Sequence, residues 1–218
     1  MIVVALADIH SRTDNLPRLA AVLAASDLVV LAGDITHFGR AEEAEAVVSA
    51  VSRYQPQVLA VAGNCDHREV ASYLEQEGIS LHRRHQIREG IAFLGVGMSL
   101  PAPGRTPGEI GEEDFARFLD EAAAGIPDNT PLVLVVHEPP FGSRVDYAFT
   151  GRHVGSQAIR QFIESRQPLL CLTGHIHEGR GEDRIGDTLV LNPGPLPHGG
   201  YAWAEVTPTG CRGEIRSL

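Results

Sequence analysis

The amino-acid sequence predicts an α/β fold. Apolar segments rich in β-branched residues begin at Ile2, Leu28 and Val58, and a helical pattern separates each segment from the next. Short apolar runs without polar alternation are typical of strands buried on both faces. Repeated strand–helix–strand units are typical of a parallel sheet with crossover helices. The 218 residues match the length of one domain, so we expect a single domain over 1–218.

The first half of the chain alternates predicted strands and helices. Strands are predicted at 2–7, 28–32 and 58–62, and helices at about 16–23, 41–53 and 67–77. Either Thr13 or Asp14 is suited to cap the first helix, with Pro17 in its first turn. Pro56 and Gly78 end the next two helices.

The second half is less regular and contains two long loops. Hairpins are predicted at 85–96 and 201–216, strands at 132–136, 169–172 and 188–191, and helices at 112–124 and about 155–165. Proline and glycine are frequent in the loop 97–110, and a second loop spans 138–154. Loops of this length inside a compact domain are usually functional or mobile, so we expect both to border a ligand pocket.

The charge balance argues against broad nucleic-acid binding. The chain has 18 Lys and Arg against 28 Asp and Glu, a formal net charge of −10, whereas nucleic-acid binding depends on neutralising phosphates. The three cysteines show neither zinc-finger spacing nor a disulfide framework. Neither a signal segment nor an apolar run of membrane-spanning length is present. We therefore expect a cytoplasmic protein without a membrane partner.

Five predicted strands end in side chains that can bind metal ions. Asp8 and His10 follow the first strand, where residues two apart would point the same way. Alone, this pair is equally compatible with a loop Asp and a surface His. The arrangement recurs at later strand ends, and the full set is Asp8, His10, Asp34, Asn64, His137, His175 and His177. Because ligands of open α/β sheets bind at the carboxyl ends of strands, we expect these side chains to meet.

The number and type of these donors predict two metal ions. One zinc site needs three or four ligands, whereas seven oxygen and nitrogen donors suit two ions that share a carboxylate. Carboxylate, amide and imidazole donors are compatible with manganese, iron, cobalt, nickel or zinc. Glycine precedes Asp34, Asn64 and His175, as expected where the backbone passes close to a ligand.

The ordered blocks together resemble the calcineurin-like metallophosphoesterase superfamily. They are Asp-x-His, Gly-Asp, Gly-Asn-x-Asp, a lone His at a strand end, and Gly-His-x-His, and they extend over nearly the whole chain. The small size and the block 192–194 (Asn-Pro-Gly) resemble the single-domain prokaryotic members. The stretch 137–140 (His-Glu-Pro-Pro), with Gly155 and Ser156 downstream, resembles the branch related to cyclic-nucleotide phosphodiesterases.

This resemblance implies a two-sheet β sandwich flanked by helices, in α-β-β-α layers, with a phosphoesterase site. It implies a first metal held by Asp8, His10 and His177, and a second metal held by Asn64, His137 and His175. Asp34 would bridge the two ions. Manganese is the first expectation, with iron, nickel, cobalt or zinc as alternatives. A hydroxide between the metals would attack phosphorus.

The sequence departs from the family at Cys65, where many members carry a His. A thiol with an ordinary pKa of about 8.5 stays protonated near neutrality and is a poorer general acid than imidazole. We therefore expect a phosphodiesterase acting on a small phosphodiester or nucleotide-type substrate. Asp66 either orients this block or caps the helix 67–77, and both roles are compatible. The residues implied in catalysis are Asn64, Cys65, Asp66 and His137.

Four further residues are candidates for substrate binding, each with a simpler alternative as a solvated loop residue. They are His37, Arg144, Arg152 and His153. Cationic side chains at these positions would suit a substrate phosphate. Trp203 is expected either in internal packing or at a homodimer surface.

Two other functions are compatible with this resemblance. Some proteins with this fold are interaction scaffolds whose metal sites have been lost, but all seven expected ligands are present here. A nuclease acting on polymeric DNA is disfavoured by the net charge of −10. We expect a small phosphate ester as the partner molecule.

Overall fold

The computed structural model describes all of residues 1–218 and confirms the α/β class. The strands are β1 (Ile2–Leu6), β2 (Leu28–Ala32), β3 (Val58–Val61), β4 (Arg84–Arg88), β5 (Ile91–Val96), β6 (Leu132–Val136), β7 (Tyr147–Ala148), β8 (Arg152–His153), β9 (Leu170–Leu172), β10 (Gly181–Ile185), β11 (Thr188–Asn192), β12 (Gly200–Thr207) and β13 (Gly210–Ser217). The helices are α1 (Leu16–Ala24), α2 (Ala41–Ser52), α3 (Arg68–Gln76), α4 (Glu112–Ala123) and α5 (Gln157–Arg166).

Two packed sheets form the centre of the molecule, and helices cover their outer faces. The first sheet has the order β13-β12-β1-β2-β3, and the second has the order β10-β11-β9-β6-β5-β4. Strands β1, β2 and β3 pair in parallel, as their strand–helix–strand pattern predicts. The layers therefore run α-β-β-α, which confirms the two-sheet sandwich.

The absence of polar alternation in the strands follows from this layering. In β1, Val3 and Ala5 face the second sheet, whereas Val4 and Leu6 pack against the helices of the first. Both faces of the strand are therefore apolar. A third apolar cluster, which includes the fully buried Phe115, packs α4 and α5 against the outer face of the second sheet. None of the helices combines the length and the apolarity that crossing a membrane requires.

The structure differs from the predicted elements at three places. Helix α1 begins after Asn15, and neither Thr13 nor Asp14 caps it. The Asn15 side chain instead donates to the carbonyls of Leu196 and Pro197, at 3.0 and 3.2 Å. Strand β10 was not predicted, because this edge strand is mostly charged and half exposed. The loop 138–154 contains the short hairpin β7–β8.

The packing between the sheets predicts a large effect of Phe93→Ala. Phe93 lies on β5 and is fully buried in the cluster between the sheets. Its removal leaves a cavity that neighbouring strands cannot close, so we expect the free energy of unfolding in urea to fall by about 3–5 kcal/mol. Phe149→Ala is the matched control, because Phe149 is 91% exposed. Similar losses in both variants would contradict this packing.

Candidate metal centre

The carboxyl ends of β1, β2, β3, β6 and β9 meet at one edge of the sandwich and bring the candidate ligands together. Asp8, His10 and His177 form one group, and their donor atoms all lie within 4.8 Å of one another. In this group, His177 Nε2 is 3.4 Å from Asp8 Oδ1. These three residues are the expected ligands of the first metal, and that role remains a prediction.

A second group lies on the other side of Asp34. His137 Nε2 is 2.9 Å from Asn64 Oδ1 and 3.4 Å from Asp34 Oδ1. The other ring nitrogen of His137 is 2.9 Å from the Ala32 carbonyl. Because a carbonyl can only accept, this nitrogen carries a hydrogen, and Nε2 is directed at the two oxygens. Orientation of this kind is typical of metal-binding histidines.

Asp34 lies between the two groups and presents one carboxylate oxygen to each. Its Oδ1 faces His137, and its Oδ2 is 3.9 Å from His10 Nε2. The Cys65 backbone N–H donates to Oδ1 at 2.8 Å and fixes the carboxylate. Burial would raise the pKa of Asp34, but the adjacent His137 and the hydrogen bonds from Cys65 together outweigh burial and hold this pKa well below its ordinary value. Asp34 is therefore ionised and placed to interact with a cation on either side.

The donor atoms at this edge fit divalent cations. His137 Nε2 lies 2.9 Å from Asn64 Oδ1 and 3.4 Å from Asp34 Oδ1, so one proton or one cation between them would satisfy all three atoms. Asp8 Oδ2 and His10 Nδ1 are buried without any hydrogen-bond partner. Such unpaired buried atoms are costly unless a proton or metal satisfies them. The residues present therefore suit the metal ions that the sequence predicts.

Burial keeps two of the histidines uncharged. It lowers the pKa of His175 to about 4, with repulsion from His137 as the next cause. Burial also lowers the pKa of His10, against the attraction of Asp34 and Asp8. Neutral imidazoles are the form that binds metals. His175 lies against the second group, with its ring centroid 5.1 Å from that of His137.

Four candidate ligands have backbone conformations that L-amino acids rarely adopt. Their φ values are 50° for Asp8, 49° for His10, 47° for Asp34 and 66° for His175. The expectation that Asp8 and His10 meet through extended-strand alternation is therefore wrong, since β1 ends at Leu6 and the backbone turns. Left-handed residues other than glycine cost about 1–3 kcal/mol each and cluster at functional sites.

The glycines that precede the ligands leave space for them, as predicted. A Cβ atom on Gly33 would lie 2.2 Å from His137 Nδ1, and one on Gly63 would lie 2.1 Å from Asp34 Oδ1. These separations are far below any van der Waals contact. Any side chain at either position would displace a candidate ligand.

Asp66 connects the turn after β2 to the turn after β3. One oxygen accepts from the backbone N–H and the hydroxyl of Thr36, both at 2.7 Å. The other accepts from the N–H groups of Ile35 and Gly63, at 3.1 and 2.7 Å. The side chain thus fixes Asp34 relative to Asn64 and does not cap α3, whose N-cap is His67. Burial, followed by repulsion from Asp34, raises the pKa of Asp66 to about 6.

Cys65 lies at the centre of the site as a neutral thiol. Its sulfur is within 4.8 Å of donor atoms of His10 and Asp34. Burial and the nearby carboxylate of Asp34 raise the pKa of the thiol far above its ordinary value. The Asn64 amide nitrogen points at this sulfur, at 3.7 Å, which turns the amide oxygen towards His137.

Glu138 is a buried carboxylate at the site that the sequence reasoning missed. One of its oxygens accepts from the Leu100 N–H at 2.9 Å, and the other has no partner. The first oxygen is also 3.8 Å from His175 Nε2. Burial raises the pKa of Glu138 to about 8. Its position directly after His137 was a usable signal, but the sequence does not show that the loop 97–110 covers it.

Asn192 holds the loop that carries His175 and His177. Its side-chain nitrogen donates to the carbonyls of Gly174 and Ile176, at 3.3 and 2.9 Å. Its oxygen accepts from the Gly194 N–H at 2.9 Å. Asn192 therefore connects the end of β11 to the last ligand block.

The four candidate substrate residues lie in two different places. His37 is beside the metal group, with its ring centroid 5.4 Å from that of His10. Arg144 and His153 line a separate pocket on the loop 138–154. His153 Nδ1 is 2.6 Å from the buried carboxylate of Asp146, and Arg152 is exposed in β8. The structure does not bring the last three into contact with the metal groups, and their binding role remains a prediction.

Comparisons with known proteins agree with this geometry. A profile of the calcineurin-like phosphoesterase superfamily domain matches residues 1–207. Protein MJ1162 of Methanocaldococcus jannaschii is 35% identical over 199 residues, which cover 89% of this chain and 88% of that protein. A Mycobacterium tuberculosis protein named cAMP/cGMP dual specificity phosphodiesterase is 26% identical over 167 residues. That match covers 73% of this chain and 51% of the mycobacterial protein.

A solved structure gives the same picture of the fold. The crystal structure of a dimetal phosphatase from Danio rerio aligns with a TM-score of 0.62, covering 98% of this chain and 96% of that chain. The sequence identity is 12%. At this identity the likeness shows a shared fold.

Asp66→Asn should destabilise the protein. Both oxygens of Asp66 accept hydrogen bonds from backbone N–H groups of Ile35, Thr36 and Gly63. In the variant, an NH₂ group would replace one of these oxygens, and its hydrogens would face the hydrogens of those N–H groups. We expect the free energy of unfolding to fall by about 2–3 kcal/mol, measured by urea denaturation at pH 7.5. Asp120→Asn, at an exposed position, is the control. An unchanged midpoint in both variants would show that Asp66 does not hold the two turns together.

Asp34→Asn should reduce the number of bound metal ions. The substitution keeps the shape of the side chain but removes the charge that faces both groups. After loading with Mn²⁺ and dialysis, we expect two ions per chain in the wild type and at most one in the variant, by elemental analysis. Equal metal content in the variant and in Asp120→Asn would rule out a shared carboxylate.

Proposed function

The chain belongs to the calcineurin-like phosphoesterase superfamily, and on this basis we propose that it is a dinuclear metal-dependent phosphodiesterase acting on small substrates. The observation that carries the proposal is the position of Asp34. Its two oxygens face two separate sets of donors, one with His10 and one with His137. A carboxylate in this position suits a bridge between two divalent ions.

The side chains of this edge have distinct parts in the proposed mechanism. One ion would be held by Asp8, His10 and His177, and the other by Asn64, His137 and His175. Asp34 would contact both ions. Bound divalent ions supply a hydroxide nucleophile near neutral pH and neutralise charge on the phosphoryl group. The chain itself supplies the rigid placement of these donors, through Asp66 and Asn192.

Cys65 favours substrates whose leaving group departs without a strong acid. Its thiol holds its proton tightly, because burial and Asp34 raise its pKa. The position that many family members use for a histidine therefore offers little general-acid catalysis. This supports phosphodiesters with good leaving groups over phosphomonoesters. The name of the mycobacterial relative, a cyclic-nucleotide phosphodiesterase, agrees with this preference.

The function is tested with two aryl esters that share one leaving group. We expect the Mn²⁺-loaded protein to hydrolyse bis(p-nitrophenyl) phosphate with a kcat/KM at least about tenfold above that for p-nitrophenyl phosphate. Removal of metal with EDTA should abolish both activities, and Mn²⁺ should restore them. Asp120→Asn serves as the control.

Two outcomes would contradict different parts of the proposal. Absence of turnover with Mn²⁺, Ni²⁺, Co²⁺ and Fe²⁺ would contradict an enzymatic function. Preference for the monoester would leave the metal-dependent phosphoesterase in place and contradict the substrate class alone.

A further inference from the structure

A cavity of about 370 Å³ opens directly beside the first metal group. Its lining residues are His10, Arg12, His37, His177, Pro195, Pro197 and His198. Two of them, His10 and His177, are expected metal ligands, so the cavity begins where the scissile phosphate would bind. Arg12 and His198 lie beyond that point and have no part in the proposed metal chemistry.

The walls of the cavity are fixed by the body of the protein. Asn15 donates to the carbonyls of Leu196 and Pro197 and thereby ties the loop after β1 to the turn before β12. The Leu196 N–H donates to the Ala7 carbonyl at 3.1 Å. Arg12 and His198 therefore project from two segments that are bonded to each other, and the cavity is formed before any substrate arrives.

The cavity contains one permanent positive charge, Arg12, in an otherwise acidic protein. None of its lining residues is acidic, although the chain has a net charge of −10. The Arg12 side chain is exposed and makes no ion pair within the chain. A guanidinium without an ion-pair partner, beside the imidazoles of His37 and His198, is suited to bind an oxyanion.

We infer that this cavity binds a second phosphate group of the substrate, separate from the one that is hydrolysed. The inference rests on the proposed phosphodiesterase function and narrows its substrate class to phosphodiesters that carry an additional phosphate, such as terminally phosphorylated nucleotide esters. Arg12 would contact the second phosphate, with His198 and His37 as further donors. The volume of about 370 Å³ falls within the range that accommodates small ligands.

The position of Arg12 in the same cavity as His10 and His177 also favours this substrate class over a cyclic mononucleotide. A cyclic mononucleotide has one phosphate, which the metal groups would hold, and it leaves Arg12 without an anionic partner. A nucleotide ester with phosphates on both the 3′ and the 5′ oxygen of one sugar would offer one phosphate to the metal groups and the other to Arg12. Pro195 and Pro197 also line the cavity and add apolar surface to it.

Two chromogenic probes that differ by one phosphate test this inference. They are the p-nitrophenyl ester of thymidine 5′-phosphate and the same ester carrying a 3′-phosphate. With Mn²⁺-loaded wild type, we expect the second probe to have a kcat/KM about tenfold higher, chiefly through a lower KM. Arg12→Gln should reduce this ratio to about one, and Arg12→Lys should retain part of it. Arg18→Gln, from exposed Arg18 on α1, is the matched control and should keep the wild-type ratio.

A binding measurement separates failure of this inference from failure of the proposed function. Isothermal titration of the metal-loaded protein should show thymidine 3′,5′-bisphosphate binding about tenfold more tightly than thymidine 5′-phosphate, and Arg12→Gln should remove the difference. If neither probe is hydrolysed but this difference is found, the proposed function fails and the phosphate site stands. The inference would be overturned if the wild type had the same kcat/KM for both probes and the same affinity for both ligands. It would also be overturned if Arg12→Gln kept the preference of the wild type for the molecule with the additional phosphate.

Discussion

The carboxylate of Asp34 is the contact on which the candidate metal centre depends. It follows β2 in the first sheet and faces His137, which follows β6 in the second. The two sheets are joined here by polar atoms, whereas elsewhere they meet through apolar packing. Gly33 permits this approach, because a side chain there would overlap the His137 ring. The contact between Asp34 and His137 therefore depends on the distance between the two sheets, and so does the geometry of the site.

Buried polar side chains that do not face the metal groups keep this arrangement rigid. Asp66 receives four hydrogen bonds from the turns on either side of it. Asn192 holds the last ligand loop from the opposite side. Rigid support of this kind is needed because Asp8, His10 and Asp34 all have left-handed backbone conformations that cost free energy. Apolar packing between the sheets stabilises the fold, and the hydrogen bonds of Asp66 and Asn192 fix the positions of the candidate ligands.

The sequence predicted most of the elements and the meeting of the candidate ligands at one edge, because both follow local rules. Buried parallel strands lack polar alternation, and their carboxyl ends share one edge. The sequence failed where a side chain bonds to a distant segment. Asn15 was overlooked because its partners are some 180 residues away. Glu138 was overlooked because its burial depends on the path of the loop 97–110. The mostly charged strand β10 lacks the apolar pattern that predicts a strand. The cavity beside the first metal group is built from four separate segments of the chain, and no sequence motif indicates it.

The most direct test of a shared two-metal centre is anomalous X-ray diffraction from crystals grown with Mn²⁺. Two anomalous peaks about 3.5–4 Å apart are expected, one on each side of Asp34. One of them should contact Asp8, His10 and His177, and the other should contact Asn64, His137 and His175. A single peak, or two peaks of which only one contacts Asp34, would contradict the bridging role.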